Sequence, residues 1–404
     1  MRLDWTPDAE DFAGRLSALR RAIHAEPELG LHTPRTRDKV RAALAHLPLE
    51  WLEGPSTTGM VGILRGSSPG RSVLLRGDMD ALPMAEETEL EFASRVPGAM
   101  HACGHDAHVA MLAGAVELLW AKRESLVGEV RFMFQPGEEG WHGARFMLDD
   151  GLLGGACGRG ALPDAAFALH VMPNAPHGLV SGRAGPLLAG ADRLRVTVKG
   201  RGGHASMPHQ TLDPVPVACE IVTALQALVT RRFDAAEAVV VTIASIAAGT
   251  THNVIADRAV LDGTMRTLSP GARVRLGESV TRLARGIAAA HGLEADVRIE
   301  PGFPITICDA RAVDLGEAVA RALFGPAAFQ RLAAPIMGAE DFAYVLEQVP
   351  GAMFFLGVAG ESEDPASCCG LHSARMIVDE AALPRGAALL AGLAERFLDT
   401  GFAP

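Results

Sequence analysis

The sequence predicts an α/β fold: a mixed, mostly parallel sheet with helices on both faces, into which a ferredoxin-like βαββαβ domain is inserted. Three observations predict it. Four short apolar runs, Ser72 to Leu75, Glu129 to Phe134, Ala165 to Leu169 and Met353 to Val358, stand at loops rich in polar residues and alternate with stretches of helical periodicity, the pattern of a parallel sheet. The stretch from Gly185 to Pro304 departs from that alternation and reads as strand, helix, strand, strand, helix, strand. A chain of 404 residues exceeds the size at which one core stops growing, so two domains are expected.

A first helix is expected from Asp11 to His24, and a second from Thr33 as N-cap with Pro34 at the first helical position. The run Ser72 to Leu75 leads into RGDMDALP, and Glu129 to Phe134 leads into QPGEEG. Between them, Ala107 to Lys122 carries Met111, Leu112, Ala115, Leu118 and Leu119 at helical spacing. The third run ends at His170, and the fourth precedes the loop that holds His372. In the inserted segment the strands are Arg193 to Lys199, Ala238 to Ile246, Arg258 to Thr267 and Ala295 to Glu300, with helices Asp213 to Thr230 and Pro270 to Ala290. The expected division is a discontinuous larger domain, 1–184 and 305–404, and an inserted domain, 185–304, that could serve as a lid.

With 49% hydrophobic and 21% charged residues the composition is that of a globular protein. A net charge of −11 without a Lys/Arg cluster argues against nucleic acid and anionic lipid as partners. The start MRLDWTPDAEDF lacks a basic region followed by an apolar core, and no uncharged apolar run reaches the roughly 18 residues of a membrane span. A cytoplasmic protein is expected. Six cysteines, Cys103, Cys157, Cys219, Cys308, Cys368 and Cys369, are too few for a disulfide scaffold. Free thiols are expected, most of them buried and apolar, with Cys103 the exception.

In open parallel sheets, ligands gather beyond the carboxyl ends of the strands, and the chemically unusual residues of this chain cluster there. HACGHDAH opens a helix and offers Cys103 and His105, which as alternate residues of an extended segment can face one centre. Thiolate and imidazole suit zinc, manganese, cobalt or nickel better than magnesium or calcium. A second reading makes Cys103 a nucleophile activated by His105, and a third leaves a buried cysteine among solvated histidines. QPGEEG sets Glu138 beside Glu139, two like charges that resist joint ionisation unless a cation neutralises one. One then binds metal, and the other is free to move a proton. His170 and His372 are each ordinary core or loop histidines when taken alone. Together with the Cys/His and Glu/Glu pairs at the ends of one sheet they offer five ligands, more than one tetrahedral zinc needs, which favours two metals. His24, His32, His46, His177 and His291 are read as structural.

In the inserted domain, GRGGHASMPH presents His204 after two glycines, and THNVIADRAVLDGTMRT supplies Asn253 and Arg266 near strand ends. Arg266 can hold a substrate carboxylate through a bidentate contact with help from Asn253. Alternatively His204 is a solvated loop histidine and Arg266 pairs with an Asp.

These residues resemble the M20 metallopeptidase superfamily, in particular its amidohydrolase branch of hippurate hydrolases, N-acyl-amino-acid deacylases and auxin-conjugate hydrolases. The likeness is carried by RRAIHAEPELG, LLRGDMDALP, MHACGHDAHVAML, FQPGEEG, ALHV, GGHASMPH, DPVPVACEIVTALQALVTRR, THNVIAD, GTMRT, MGAEDFAYVLEQVPG and GLHSAR, in that order. It implies two divalent metal ions held by Cys103, His105, Glu139, His170 and His372, with Glu138 as general base and then acid. It further implies that Asp80 orients a ligand, and that His204 stabilises the oxyanion of a tetrahedral intermediate, from a second copy if the chains pair through the lid. Asp78 stands where the wider superfamily has a metal-binding His and is not taken as a ligand. HASMPH replaces the more usual HGAMPH or HAAMPH, and GESEDPASCC before His372 is unexpected for the family. The implied activity is hydrolysis of the amide of a small N-acyl amino acid by a homodimer or higher homo-oligomer. A dipeptidase or carboxypeptidase of the same superfamily is the first alternative, and a catalytically silent, metal-stabilised binding protein is the second.

Overall fold

The computed structural model of the protein describes residues 5–154 and 160–403; Cys157 lies outside them. Two compact units are present, one formed by Met1–Leu187, Ile307–Ala334 and Asp341–Pro404, the other by Leu188–Thr306 and Pro335–Glu340. The units thus change at 187/188 and 306/307, and the short segment Pro335–Glu340 groups with the smaller unit, whereas the expected division places it in the larger.

The larger unit is built on an eight-stranded sheet with spatial order Glu50–Glu53, Met60–Arg65, Val127–Gln135, Ser68–Asp78, Ala165–Met172, Gly351–Gly357, Val180–Gly182, Phe329–Arg331. The middle four, Val127–Gln135, Ser68–Asp78, Ala165–Met172 and Gly351–Gly357, run parallel, and antiparallel pairs flank them. Their interiors are closed to water: Val73, Leu74, Leu75, Phe132, Phe134, Phe167 and Phe354 are fully buried. Burial on both faces is what turned these strands into continuous apolar runs rather than alternating ones. Helix His105–Ala121 is buried almost all round, as is much of the last helix, Leu383–Thr400. Register brings Asp78 level with Gln135, and His170 level with Phe355, so the strand ends converge at one rim.

At the N-terminus the expected single helix is two, Thr6–Glu10 and Ala13–His24. Pro34 opens helix Pro34–Ala43 as expected, but Thr33 makes no side-chain cap. The Glu28 carboxylate takes that role instead, accepting from the backbone N–H of Arg35 (3.2 Å) and Thr36 (2.8 Å), a charge favoured at a helix N-terminus.

In the smaller unit, strands Gly190–Lys199, Val239–Ala248, Arg258–Thr267 and Glu294–Pro301 and helices Pro214–Arg232 and Pro270–Ala290 follow in βαββαβ order. The sheet order is Val239–Ala248, Arg258–Thr267, Gly190–Lys199, Glu294–Pro301, antiparallel throughout, which is the ferredoxin-like arrangement. Leu194, Val196, Val198, Ile221, Leu225, Leu261, Leu276 and Val280 form its core. Asp213 and Ser269 cap the two helices through their side chains.

The five described cysteines are free. Only Cys103 and Cys308 among them are buried, so the expectation that most thiols are core residues fails: Cys219 faces out from a helix, and Cys368 and Cys369 sit in a surface loop.

Candidate metal centre

The chain reaches the rim of the larger unit's sheet through a sharp turn. Gly104 has φ 81°, and a Cβ there would stand 2.3 Å from Val171 Cγ2, so glycine is required both by the backbone and by the space. His105 is then the first residue of a helix. Cys103 and His105 come together through this left-handed turn, not as alternate residues of an extended segment.

His105 Nδ1 donates to the Asp80 carbonyl (2.8 Å). Its Nε2 is buried and makes no hydrogen bond, at 3.5 Å from an Asp78 oxygen and 4.0 Å from a Glu138 oxygen. His170 Nδ1 donates to the Val171 carbonyl (2.7 Å), which directs Nε2 at Cys103 Sγ, 3.4 Å away. His372 Nε2 lies 3.3 Å from Glu139 Oε1, an ion-pair approach rather than an aligned hydrogen bond, since that oxygen is buried without one. His372 holds φ 64° with its N–H on the Ala102 carbonyl (2.7 Å), a left-handed position uncommon for a non-glycine residue. Donor atoms of Cys103, His105 and His170 lie within 4.8 Å of one another, as do those of Cys103, Glu139 and His372, and those of His105, Glu138 and Glu139.

A tetrahedral cation 2.0–2.3 Å from each N or S donor sets the donors roughly 3.3–3.8 Å apart, and the 3.3 and 3.4 Å separations match that spacing. Proton affinities agree. Burial pushes the Cys103 thiol up and holds His170 well below the usual histidine range. Burial also opposes charge on His105, but Asp78 and Cys103 outweigh it and raise its proton affinity. Contacts with Cys103 and Glu139 push His372 up to about 10. Glu139 is lowered although burial works to raise it, because His372 and His105 face it. The cluster therefore calls for positive charge between Cys103, Glu139 and Asp78. Two overlapping donor sets that share Cys103 fit a pair of divalent cations.

The Asp80 carboxylate accepts from the N–H groups of Glu138 (2.9 Å) and Glu139 (3.0 Å), holding the middle of the QPGEEG turn. Asp78 is fully buried, bonded to Arg76 (2.5 Å) and to His108 Nδ1 (2.5 Å). His108 Nε2 in turn accepts from the Val171 N–H (2.9 Å). A second buried group, Arg20, His24, Glu86 and Asp106, adjoins His101.

Arg76, Gln135 and Asp341 are not among the residues singled out from the sequence, and His108 is there only as one of the histidines of HACGHDAH, without a role. Their signals were present: two charges, Arg76 and Asp78, in an otherwise buried strand, a His three residues after His105 on one helix face, and the AED of MGAEDF.

The smaller unit holds His204, Asn253 and Arg266. His204 pairs in register with Val254, and the Asn253 carbonyl accepts from the Ala205 N–H (3.1 Å), so His204 and Asn253 are neighbours. Both are exposed. His204 Nδ1 accepts from the Ser206 N–H (3.1 Å) and lies 2.8 Å from its hydroxyl, leaving the proton on Nε2. Arg266 is half-buried, and burial lowers its pKa while the charge of Asp192 works to raise it; among the described residues its guanidinium forms no hydrogen bond or close ion pair.

The model of Peptidase family M20/M25/M40 matches residues 74–396. The N-acetylcysteine deacetylase of Bacillus subtilis is 37% identical over 96% of this chain and 98% of its own. Thermostable carboxypeptidase 1 of Saccharolobus solfataricus is 36% identical over 96% and 97%. A crystal structure of a B. subtilis dinuclear metal-binding peptidase of the M20 family, 35% identical, superposes with a TM-score of 0.81 over 96% of this chain and 99% of that one.

Proposed function

The chain belongs to peptidase family M20/M25/M40 and is a metal-dependent amidohydrolase, and from that premise we propose that it hydrolyses the amide of small N-acyl amino acids, hippurate-like or N-acetylated, to a free amino acid and a carboxylic acid. The observation that carries the proposal is the convergence of Cys103, His105, Glu139, His170 and His372, with the buried His105 Nε2 and Glu139 Oε1 lacking hydrogen bonds, beside a second carboxylate, Glu138. The B. subtilis deacetylase supports the substrate class and the dinuclear peptidase supports two metals.

In this reading Cys103, His105, Glu139, His170 and His372 hold two divalent ions drawn from Zn, Mn, Co or Ni. When bound, these supply Lewis-acid polarisation of the amide carbonyl and lower the pKa of a water. Glu138 accepts the proton of the attacking water and delivers it to the leaving amine nitrogen. Asp80 keeps the turn bearing Glu138 and Glu139 in place. His204, with its proton on Nε2, donates to the developing oxyanion, and Arg266 with Asn253 binds the substrate carboxylate; a half-buried guanidinium that makes no hydrogen bond among the described residues supports that role.

A homodimer formed through the smaller unit belongs to the same proposal. Its edge strand Val239–Ala248, VVVTIASIAA, has no charge or proline and exposes Val240 and Ile246, the kind of edge that invites pairing. Mass by light scattering tests this. So does partial recovery of activity on mixing His204→Ala with Glu138→Ala subunits, if His204 serves the other copy's site. A cytoplasmic setting is likewise proposed, supported by the free thiols; no described helix is long and apolar enough to cross a membrane.

The carboxypeptidase relative favours a second reading, cleavage of a peptide bond at a free carboxyl terminus. Amine release from an N-acetyl amino acid, compared with the matching dipeptide and a blocked dipeptide, decides between them. Turnover of the dipeptide alone overturns the deacylase proposal.

A further inference from the structure

The segment MGAEDFAYVLEQVPG has no part in the chemistry above, yet Asp341 within it is fully buried. We propose that Asp341 is a positioning residue, whose carboxylate ties down both ends of the loop from Gln135 to Ala144 and thereby sets the places of Glu138 and Glu139.

Gln135 Nε2 donates to both Asp341 oxygens (2.7 and 2.9 Å), and the Ala144 N–H donates to Oδ2 (2.9 Å). Gln135 is the last residue of its strand, and Ala144 lies in the first turn of helix Gly143–Asp149. The loop between them, PGEEGWHG, is shaped by glycine. Gly137 and Gly140 have φ 76° and 82°, and a Cβ on Gly143 would stand 1.7 Å from the Pro136 carbonyl oxygen. Glycine allows this path but does not enforce it, because it loses more conformational freedom on folding than other residues. Beside the loop's own backbone bonds, Gly140 N–H to the Glu138 carbonyl (2.6 Å) and Gly143 N–H to the Gly137 carbonyl (2.9 Å), and the contact of His142 with Tyr344 (2.9 Å), two carboxylates tie it to the sheet: Asp80 at the two central N–H groups, and Asp341 at the ends.

The charge on Asp341 argues for such a task. Burying an unpaired carboxylate is costly, and a buried ion pair adds little over well-packed apolar residues. Asp341 is balanced by Arg76, whose Nη2 lies 3.1 Å from Oδ1, while Arg76 Nε donates to Gln135 (2.8 Å) and Nη1 to Asp78 (2.5 Å). An oxygen of Asp341 also comes within 4.8 Å of one of Glu138. Arg76 therefore offsets a like charge beside Glu138 and links the loop to Asp78, His108 and the Val171 N–H next to His170. The network spans the ends of three neighbouring strands, the last of which carries His170, while Glu139 lies in the loop that follows the middle of the three in chain order.

The inference rests on Glu138 and Glu139 acting as base and ligand. It is tested with the whole protein loaded with Co2+, whose visible absorption reports ligand geometry, titrated against a competing chelator. Asp341→Asn turns an acceptor toward a donor and is expected to weaken Co2+ affinity and lower kcat, each about 10–100-fold, with KM changed less than about twofold and an altered absorption band. Should that variant fail to fold, Gln135→Met removes one tether without exposing a charge and is expected to act in the same direction. Arg131→Met is the control: Arg131 is a second buried arginine, on the strand that ends at Gln135, and is bonded to the Ala161 carbonyl at 2.9 Å and to the Leu153 carbonyl, away from the loop. It should lower the Tm and leave Co2+ affinity intact. Wild-type affinity and kcat in the Asp341 and Gln135 variants, or an equal loss in Arg131→Met, overturns the clamp. A wild-type protein that takes up no divalent cation overturns the reading of the site itself.

Discussion

Of the larger unit's three proposed ligand histidines two are buried and His372 is exposed, whereas the smaller unit's proposed histidine, His204, is exposed. His105 and His170 are shut from water, and each has one ring nitrogen fixed by a backbone carbonyl. His204 stands in solvent, oriented by Ser206 two residues on. Burial makes the first group sensitive to every neighbouring charge, whereas an exposed imidazole responds to local geometry. Substitutions in the buried cluster should therefore disturb chemistry and proton affinity together, and substitutions at the exposed one should disturb chemistry alone.

The largest expected effect is at Glu138. Glu138→Ala should retain both metals by elemental analysis while kcat falls about 10²–10⁴-fold; near-normal turnover would remove Glu138 from the chemistry. Next, His204→Ala should lower kcat about 10²–10³-fold with the Tm unchanged, since its side chain is exposed; a fall in Tm would break the contrast between the units.

A third test uses pH. Burial works against charge on His24, but Asp106 and Glu86 raise it from 6.5 to about 9. A pKa raised on folding contributes stability that is fully present below about 6.5 and is lost as pH rises through about 9, here about 3 kcal/mol. All four tryptophans, Trp5, Trp51, Trp120 and Trp141, lie in the larger unit. Urea unfolding followed by their fluorescence should weaken between pH 6.5 and 9, and His24→Gln should flatten that decline. The smallest effect belongs to Ser206→Ala, which removes one hydroxyl from His204 and should cost about 0.5–1.5 kcal/mol in kcat/KM, with rescue by Ser206→Thr.

Much was legible in the sequence because it depends on near neighbours. The apolar runs before RGDMDALP and QPGEEG announced strands, and the inserted βαββαβ order could be read from periodicity alone. Capping was less legible. Thr33 precedes Pro34 as an N-cap should, yet Glu28, six residues before Pro34, does the work through a bend of the chain. Asp341 was invisible as a clamp because its partners, Arg76 and Gln135, lie 265 and 206 positions away.

By itself the sequence determined the kinds of donor available, thiolate, imidazole and paired carboxylates, and their location at a helix start and at or after strand ends, since side-chain chemistry and local periodicity are properties of short stretches. Only the tertiary structure decided how they meet. The Gly104 turn brings Cys103 and His105 together, His105 Nε2 is left without a hydrogen bond, and a carboxylate from a distant loop fastens the Glu138–Glu139 turn. The physical reason is that convergence depends on parallel register and crossover packing, which no local pattern encodes.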